Sequence, residues 1–488
     1  MPPLVRSDSL QDIDFTLRRR FNKESFRPNQ REIILAALEG KDVFVQAATS
    51  FGKSLCFQLP AVIDRGITIV ISPLLSLMMN QVKALRESNI DARTLNSTLP
   101  LPDRDYIYSD LATGHPLTRL LYITPELCSS SHFRIKLKLV HQQKELARIA
   151  VDEAHCISEW GHDFRPDFKR LSWLRETFPD VPIICLTATA NELVRKDVLS
   201  TLGMDKDAGR LKEFYMTANR PNLHLEVRFT SDEANDRFDD FVTWLKGVYE
   251  RRGGNEERRK ELEEKGERVE NVSGIIYTIS RDETETLAAA LRMEGIGARP
   301  FHAKLTKEEK ERTLGRWIKN EVGYDVIVAT TAFGMGIDKD DVRFVVHWRL
   351  PKSFEGYYQE AGRAGRDGNA GYCFLYYSRE DRDRVMSMLV RDGGKGNKGE
   401  GGEANRKARI KSHERLVEYC EMTDGCRHEF ICRYFGEGEK VVECDYACDW
   451  HKEGSAGLKR RMKAGLASEE WVCTQREEGR FDECYYSE

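Results

Sequence analysis

Short apolar runs recur along this chain, separated by longer stretches of helical pattern. No other feature narrows the fold as much. "DVFVQA" (42–47), "ITIVIS" (67–72), "LLYIT" (120–124), "RIAVDE" (148–153) and "PIICLT" (182–187) form a first series. "SGIIYTI" (273–279), "DVIVATT" (325–331), "VRFVVHW" (342–348) and "GYCFLYY" (371–377) form a second. Runs this short and this apolar suit strands buried on both faces, and helices between them are the crossovers a parallel sheet requires. The pattern therefore predicts two α/β lobes, over 1–221 and 222–380, with "NRPNL" (219–223) as a hinge. The charged stretch "ERRGGNEERRKELEEKGERVE" (250–270) interrupts the second lobe as an exposed helix or solvated insertion. "RDGGKGNKGEGGEANRK" (391–407) ends a Gly/Lys-rich linker placed at 381–407. A short Cys/His region follows at 408–455, then a polar tail at 456–488.

The 488 residues suit about three domains. A net charge of −4 excludes a bulk basic field, so any nucleic-acid contact needs local positive charge. No apolar run approaches the ~18 residues of a membrane span, and "MPPLVRSDSLQDIDF" has no apolar signal core. The expectation is a soluble intracellular protein without a membrane partner. Its 12 cysteines are scattered as far as Cys373 and then cluster from Cys420 to Cys484. In a reducing compartment such a cluster favours metal over disulfides.

"VQAATSFGKS" (45–54) leaves a strand and enters an apolar helix, the setting of a phosphate loop. Backbone N–H groups at a helix N-terminus wrap phosphates, Lys53 neutralises them, and the Ser54 hydroxyl holds Mg²⁺. Thr49, Ser50 and Gly52 complete the loop, with Ala47 where the general pattern has its first glycine. One strand–helix cycle later, "RIAVDEAH" (148–155) ends a strand in two carboxylates. Asp152 suits the Mg²⁺ shell, Glu153 suits polarising the attacking water, and His155 suits coupling the site elsewhere. In "YYQEAGRAGRDG" (357–368), Arg363 and Arg366 suit stabilising charge on the γ-phosphate from the second lobe. "ISEWGHDFRPDF" (157–168) mixes Trp160, Phe164 and Phe168 with His162 and Arg165, a combination that stacks bases and tracks phosphates.

Taken in order, "FRPNQ", "TSFGKS", "SPLLSLMMNQ", "ITPE", "DEAHCISEWGHDFRPDF", "LTATA", "GIIYTISR", "FHAKL", "DVIVATTAFGMGIDKDDVRFVVH" and "SFEGYYQEAGRAGRDG" resemble the RecQ helicases of superfamily 2, from about residue 15 to 455. The resemblance implies two RecA-like lobes, a small helical zinc-binding module, and ATP-driven 3′→5′ unwinding of DNA in repair, recombination or replication. It implies ATP, Mg²⁺ and Zn²⁺ as cofactors, and single-stranded or tailed duplex DNA as partner. It places the protein in the nucleus of a eukaryote and otherwise in the cytoplasm. The family's winged-helix and later accessory domains are not expected in these residues. Arg27 and Gln30 would read adenine, Ser72 and Thr124 would touch DNA phosphates, and Thr187 and Thr189 would couple the lobes. Gly334, Gly336, Asp338 and Gln359 would join DNA binding to ATP on the second lobe.

In the Cys/His region "CDYACDWH" (444–451) offers three metal-type side chains. Matched to the family's four zinc cysteines, the ligands fall on Cys426, Cys444, Cys448 and His451, with Cys420 and Cys432 as rivals. Zinc accepts Cys₃His as well as Cys₄. Other departures are Ser50 and Phe51 in a loop usually richer in glycine, Glu159 for Gln, Lys304 for Gly and Asp340 for Pro. Side chains tolerate left-handed backbone poorly, so the loop geometry and the turnover rate hang on Ser50 and Phe51. The competing functions are a DNA-binding or strand-annealing protein with weak ATPase, and an RNA helicase.

Overall fold

Every strand pairing among the described residues is parallel. The structure, a computed structural model, describes residues 9–96, 98–159, 164–207, 209–231, 236–331, 333, 337, 339–392, 400–438, 444 and 447–466. The described residues fall into two compact units, one within 1–218 together with 337 and 434–437, the other within 219–333, 339–433 and 438–466.

The first unit holds β1 (Asp42–Gln46), β2 (Ile67–Ile71), β3 (Ala92–Leu95), β4 (Leu120–Ile123), β5 (Leu146–Val151), β6 (Ile183–Thr187) and β7 (Leu211–Tyr215). Their order is β3-β4-β2-β5-β6-β1-β7. Alternate residues of each strand enter opposite cores. Phe44, Ile69, Ile149 and Val151 pack on one face, and Val43, Val45, Val70 and Ala150 on the other. The period of two and the helical cover on both faces follow from strands apolar throughout. The five runs read from sequence are all strands. β3 and β7 escaped because they are half-polar edge strands.

The second unit holds β8 (Leu223–Phe229), β9 (Gly274–Thr278), β10 (Ala298–Phe301), β11 (Val326–Thr330), β12 (Phe344–His347) and β13 (Gly371–Tyr377), ordered β10-β11-β9-β12-β13-β8. "NRPNL" thus runs into an edge strand, β8. The charged stretch is helical, in Asp236–Gly254 and Glu256–Lys265, the second capped by Asn255 accepting from Arg258 N–H at 2.9 Å.

The linker expected at 381–407 is largely helix instead, within Arg379–Asp392 and Glu400–Glu421. Val385 and Leu389, spaced i, i+4, are buried. Glycine content between the two helices masked that periodicity. The remainder of the linker, 393–399, lies outside the described residues, as does the tail beyond 466, with Cys473 and Cys484. None of the helices among the described residues is long and apolar enough to cross a membrane.

One contact in the second core is unusually close. Phe344 on β12 lies flat against β9 at Gly274, where an added Cβ would meet its ring at 2.0 Å. Gly274→Ala is therefore expected to destabilise this unit by about 1–3 kcal/mol, the range for overpacking a filled core. Chemical denaturation checks it, with Gly40→Ala as no comparison, since that glycine has positive φ of its own.

Candidate functional site: a phosphate loop, an acidic pair and a Cys/His cluster

Parallel sheets bind ligands beyond the carboxyl ends of their strands, and the first unit gathers its polar groups there. β6 lies between β1 and β5, so the loops leaving all three are neighbours. Ala47 N–H donates to Thr187 O at 3.0 Å and joins the loop after β1 to the end of β6. Thr49–Phe51 then form a 3-10 turn, and only at Gly52 does the loop turn left-handed, with φ 79°. A right-handed turn is open to any side chain, so Ser50 and Phe51 fit without strain.

Lys53 is buried, and its Nζ donates to Ala47 O at 2.9 Å and Ala48 O at 3.2 Å. Ser54 begins the helix Leu55–Ile63 but makes no capping bond with its side chain. Gln30 is buried and braces the loop: its Nε2 donates to Phe51 O at 2.8 Å, and its Oε1 accepts from Arg27 N–H at 2.9 Å. The Arg27 side chain is exposed. Gln30, expected to read adenine, is thus first a loop brace in this structure.

Asp152 follows β5 directly and is buried. Burial, reinforced by the Glu153 carboxylate and opposed by Lys53, pushes its carboxyl up to about 7. Gln81 hydrogen-bonds Asp152, and Gln58 Nε2 donates onward to Gln81 at 3.3 Å and to the Tyr122 hydroxyl at 3.0 Å. Glu153 has φ 50°, rare outside glycine and characteristic of strained functional positions. Its Oε2 lies 3.4 Å from His155 Nδ1, which also pairs with Thr187 Oγ1 at 3.0 Å. Thr189 N–H donates to the same Thr187 oxygen at 3.1 Å. His155 therefore hydrogen-bonds between the acidic pair and "TATA", a partner the sequence did not name, while Gln58 and Gln81 gave no signal of their own.

The expected DNA-contact residues divide. Ser72 is fully buried, so its hydroxyl faces no solvent here. Thr124 Oγ1 caps the helix Pro125–Ser129 by accepting from Leu127 N–H at 3.3 Å, a structural use the sequence reading passed over. Trp160 and His162 lie outside the described residues, as do Gly334, Gly336 and Asp338. Phe164 is half-buried, and Arg165 donates to Pro73 O at 2.9 Å, tying the aromatic loop to "SPLL". Phe168 is fully buried core. Glu159 is paired with Lys169 at 2.5 Å, which offsets the negative charge noted at that position.

In the second unit Arg363 is buried and hydrogen-bonds the Tyr277 hydroxyl, which itself donates to Phe333 O at 2.7 Å. Gln359 and Arg366 are half-buried. "NRPNL" clamps this loop: Arg220 donates to Ala364 O at 2.9 Å and Gly365 O at 2.8 Å, and Asn222 Nδ2 to Gly365 O at 2.9 Å. A stretch read as a hinge is a brace for the arginines.

Farther along, Cys426, His428, Cys444 and Cys448 place one ligand atom each within 4.8 Å of one another. Three thiols and an imidazole form a donor set that suits a tetrahedral dication such as zinc. Cys426 and Cys448 Sγ share one hydrogen bond at 3.9 Å, which holds the Cys448 thiol well below its ordinary range and raises the Cys426 thiol. His451, the ligand expected from sequence, is not in this group. It is exposed on the helix Asp449–Gly465, and its Nδ1 approaches Cys448 Sγ at 3.3 Å. His428, two residues after Cys426, lies in the group instead.

Comparison with known proteins agrees with this division. Residues 27–197 match the DEAD/DEAH box helicase family, 257–368 the helicase conserved C-terminal domain, and 379–452 the RecQ zinc-binding family. The chain belongs to the RecQ family. It is 40% identical over 466 residues to "ATP-dependent DNA helicase hus2/rqh1" of Schizosaccharomyces pombe, covering 94% of this chain and 32% of that protein. It is 39% identical over 472 residues to "ATP-dependent DNA helicase Q5" of Rattus norvegicus, covering 95% and 46%. It is 41% identical over 420 residues to "RecQ-like DNA helicase BLM" of Xenopus laevis, covering 86% and 28%. The chain thus spans less than half the length of these RecQ relatives. Among solved structures, the helicase Mss116 bound to single-stranded RNA superposes with a TM-score of 0.58 at 16% identity, covering 87% of this chain and 91% of that one. The helicase MrfA bound to DNA gives 0.58 at 15%, covering 78% and 50%. These two share the fold.

The raised Asp152 carboxyl has a consequence for stability. Its ionised form is held in the folded state at a cost that is absent below pH 4 and grows as pH rises toward 7. Asp152→Asn removes that charge. It is expected to raise the melting temperature of nucleotide-free protein by about 2–4 °C at pH 8, less at pH 5, while abolishing ATP hydrolysis. Calorimetry at the two pH values checks the sign.

Proposed function

We propose that this chain is an ATP-dependent DNA helicase that unwinds 3′-tailed DNA by hydrolysing ATP on its first lobe. The observation that carries the reading is the convergence of Lys53, Asp152, Glu153 and the His155–Thr187 pair at the carboxyl ends of three adjacent strands. The printed names of the relatives, ATP-dependent DNA helicases, support it. Genome maintenance, and in a eukaryote the nucleus, is the setting such an activity serves.

The backbone from Thr49 to Ser54 would cradle the phosphates, and Lys53 would exchange its loop carbonyls for phosphate oxygens. Ser54 and Asp152 would hold Mg²⁺, which when bound neutralises charge on the β- and γ-phosphates. Glu153 Oε would orient a water and accept its proton as the water oxygen bonds to phosphorus and ADP leaves. His155 and Thr187 would carry the state of that carboxylate toward Thr189. Arg363 and Arg366, braced by Arg220 and Asn222, are proposed to stabilise charge on the transferred phosphoryl group.

Steady-state ATPase with and without single-stranded DNA tests the reading. DNA is expected to stimulate hydrolysis, Lys53→Ala to lower it by about 10²-fold or more, and a 3′-tailed duplex to be unwound in preference to a 5′-tailed one. Hydrolysis indifferent to DNA would leave a DNA-binding or annealing protein. Equal stimulation by RNA would make it an RNA helicase.

A further inference from the structure

The Cys/His cluster differs from a self-contained zinc knuckle in one respect. One of its four members is tied to the sheet of the second lobe. His428 is buried, and its Nε2 lies 3.0 Å from Leu223 O. A carbonyl only accepts, so Nε2 carries the proton and Nδ1 is the nitrogen left with a lone pair. That nitrogen is the one facing the sulfurs, 3.2 Å from Cys444 Sγ and 3.8 Å from Cys426 Sγ. Zinc–sulfur bonds of about 2.3 Å and zinc–nitrogen bonds of about 2.0–2.1 Å, set at tetrahedral angles, put S···S near ~3.8 Å and S···N near ~3.6 Å. The observed 3.9 Å between Cys426 and Cys448 Sγ and the two His428 distances bracket those values. A metal-ligating histidine that donates its other N–H to a carbonyl has its ring orientation and tautomer fixed.

The carbonyl belongs to β8, an edge strand of the sheet. An open edge exposes unpaired backbone groups, and the cluster's neighbours satisfy them. Asp449, adjacent to Cys448, accepts from Val227 N–H at 3.1 Å, and Arg461 donates to Val227 O at 2.9 Å. Asp449 is itself held in a fully buried ion pair with Arg427, between Cys426 and His428, at 2.8 Å. Residues 426–428 and 448–449 each carry one cluster sulfur and one anchor to β8.

We infer that His428 Nδ1 is the fourth zinc ligand, in place of His451, and that zinc binding through it fastens the module to the open edge of β8. The metal joins the two anchoring segments, so β8 is capped only as firmly as the cluster is closed.

Metal content of the full chain, with chelator competition, is compared among wild type, His451→Ala, His428→Ala and His428→Cys. The same proteins exchanged with cobalt(II) are read in the visible region. Wild type and His451→Ala are expected to hold one metal with the same cobalt spectrum. His428→Ala should lose affinity by at least about tenfold. His428→Cys should keep one metal and move the cobalt bands to longer wavelength, as a thiolate replaces the imidazole; it keeps the test decisive if His428→Ala does not fold. Wild-type affinity in His428→Ala, an unchanged spectrum in His428→Cys, or metal loss in His451→Ala would overturn the assignment. For the coupling, chelation should speed amide exchange at Val227 by about tenfold or more while β11 amides stay protected. Unchanged exchange at Val227 would overturn that half.

Discussion

Two carboxylates in sequence at the end of β5, one of them buried, are the arrangement on which the first lobe turns. Burial and the Glu153 carboxylate raise the free energy of ionised Asp152, and the Lys53 ammonium opposes them. A chain free to relax would separate such charges or expose them. This one holds them through the sheet: Asp152 N–H is bonded to Ile71 O on β2, and Glu153 is kept at positive φ. A ligand that brings positive charge would relieve both the strain and the repulsion; in the proposed function Mg²⁺ with a nucleotide would be that ligand, its phosphates meeting the donors of the loop beside it.

The second lobe uses a different economy of polar groups. There the buried charges are paired within the protein. Arg220 and Asn222 spend their donors on the carbonyls around Arg363 and Gly365. Arg427 and Asp449 neutralise one another while Asp449 also accepts from Val227 N–H on β8. Breaking such a buried pair from one side costs about 3–5 kcal/mol because a lone charge stays behind. With a sheet edge closed by side chains from a small segment, a metal at the cluster would supply folding energy to that segment. Its two anchoring pieces are separated by residues 429–447 and have no large core of their own.

Much of this was legible in the sequence, for reasons that differ by element. Central strands announced themselves because both faces are buried; β3 and β7 did not, because one edge faces water and their residues are mixed. Lys53 and the Asp152–Glu153 pair were readable because their chemistry demands adjacent residues at fixed spacing. Thr124 also caps a helix, a use the sequence does not single out because a hydroxyl before a Pro-led helix serves equally as a cap. Spacing in the sequence favours His451 as the fourth cluster member, whereas the atoms that lie together in three dimensions include His428, whose ring is held from a strand some two hundred residues earlier. Long-range hydrogen bonds of that kind leave no local pattern to read.

In the proposed function the Mg²⁺·nucleotide would bring positive charge to the acidic pair. Isothermal titration calorimetry of a non-hydrolysable Mg²⁺·ATP analogue near pH 6.5, run in buffers of different ionisation enthalpy, counts the protons exchanged on binding. A carboxyl held near 7 in the free protein should ionise when the cation arrives. The account therefore predicts release of most of one proton, absent in Asp152→Asn. Binding with no proton release, or equal release in that variant, would contradict it.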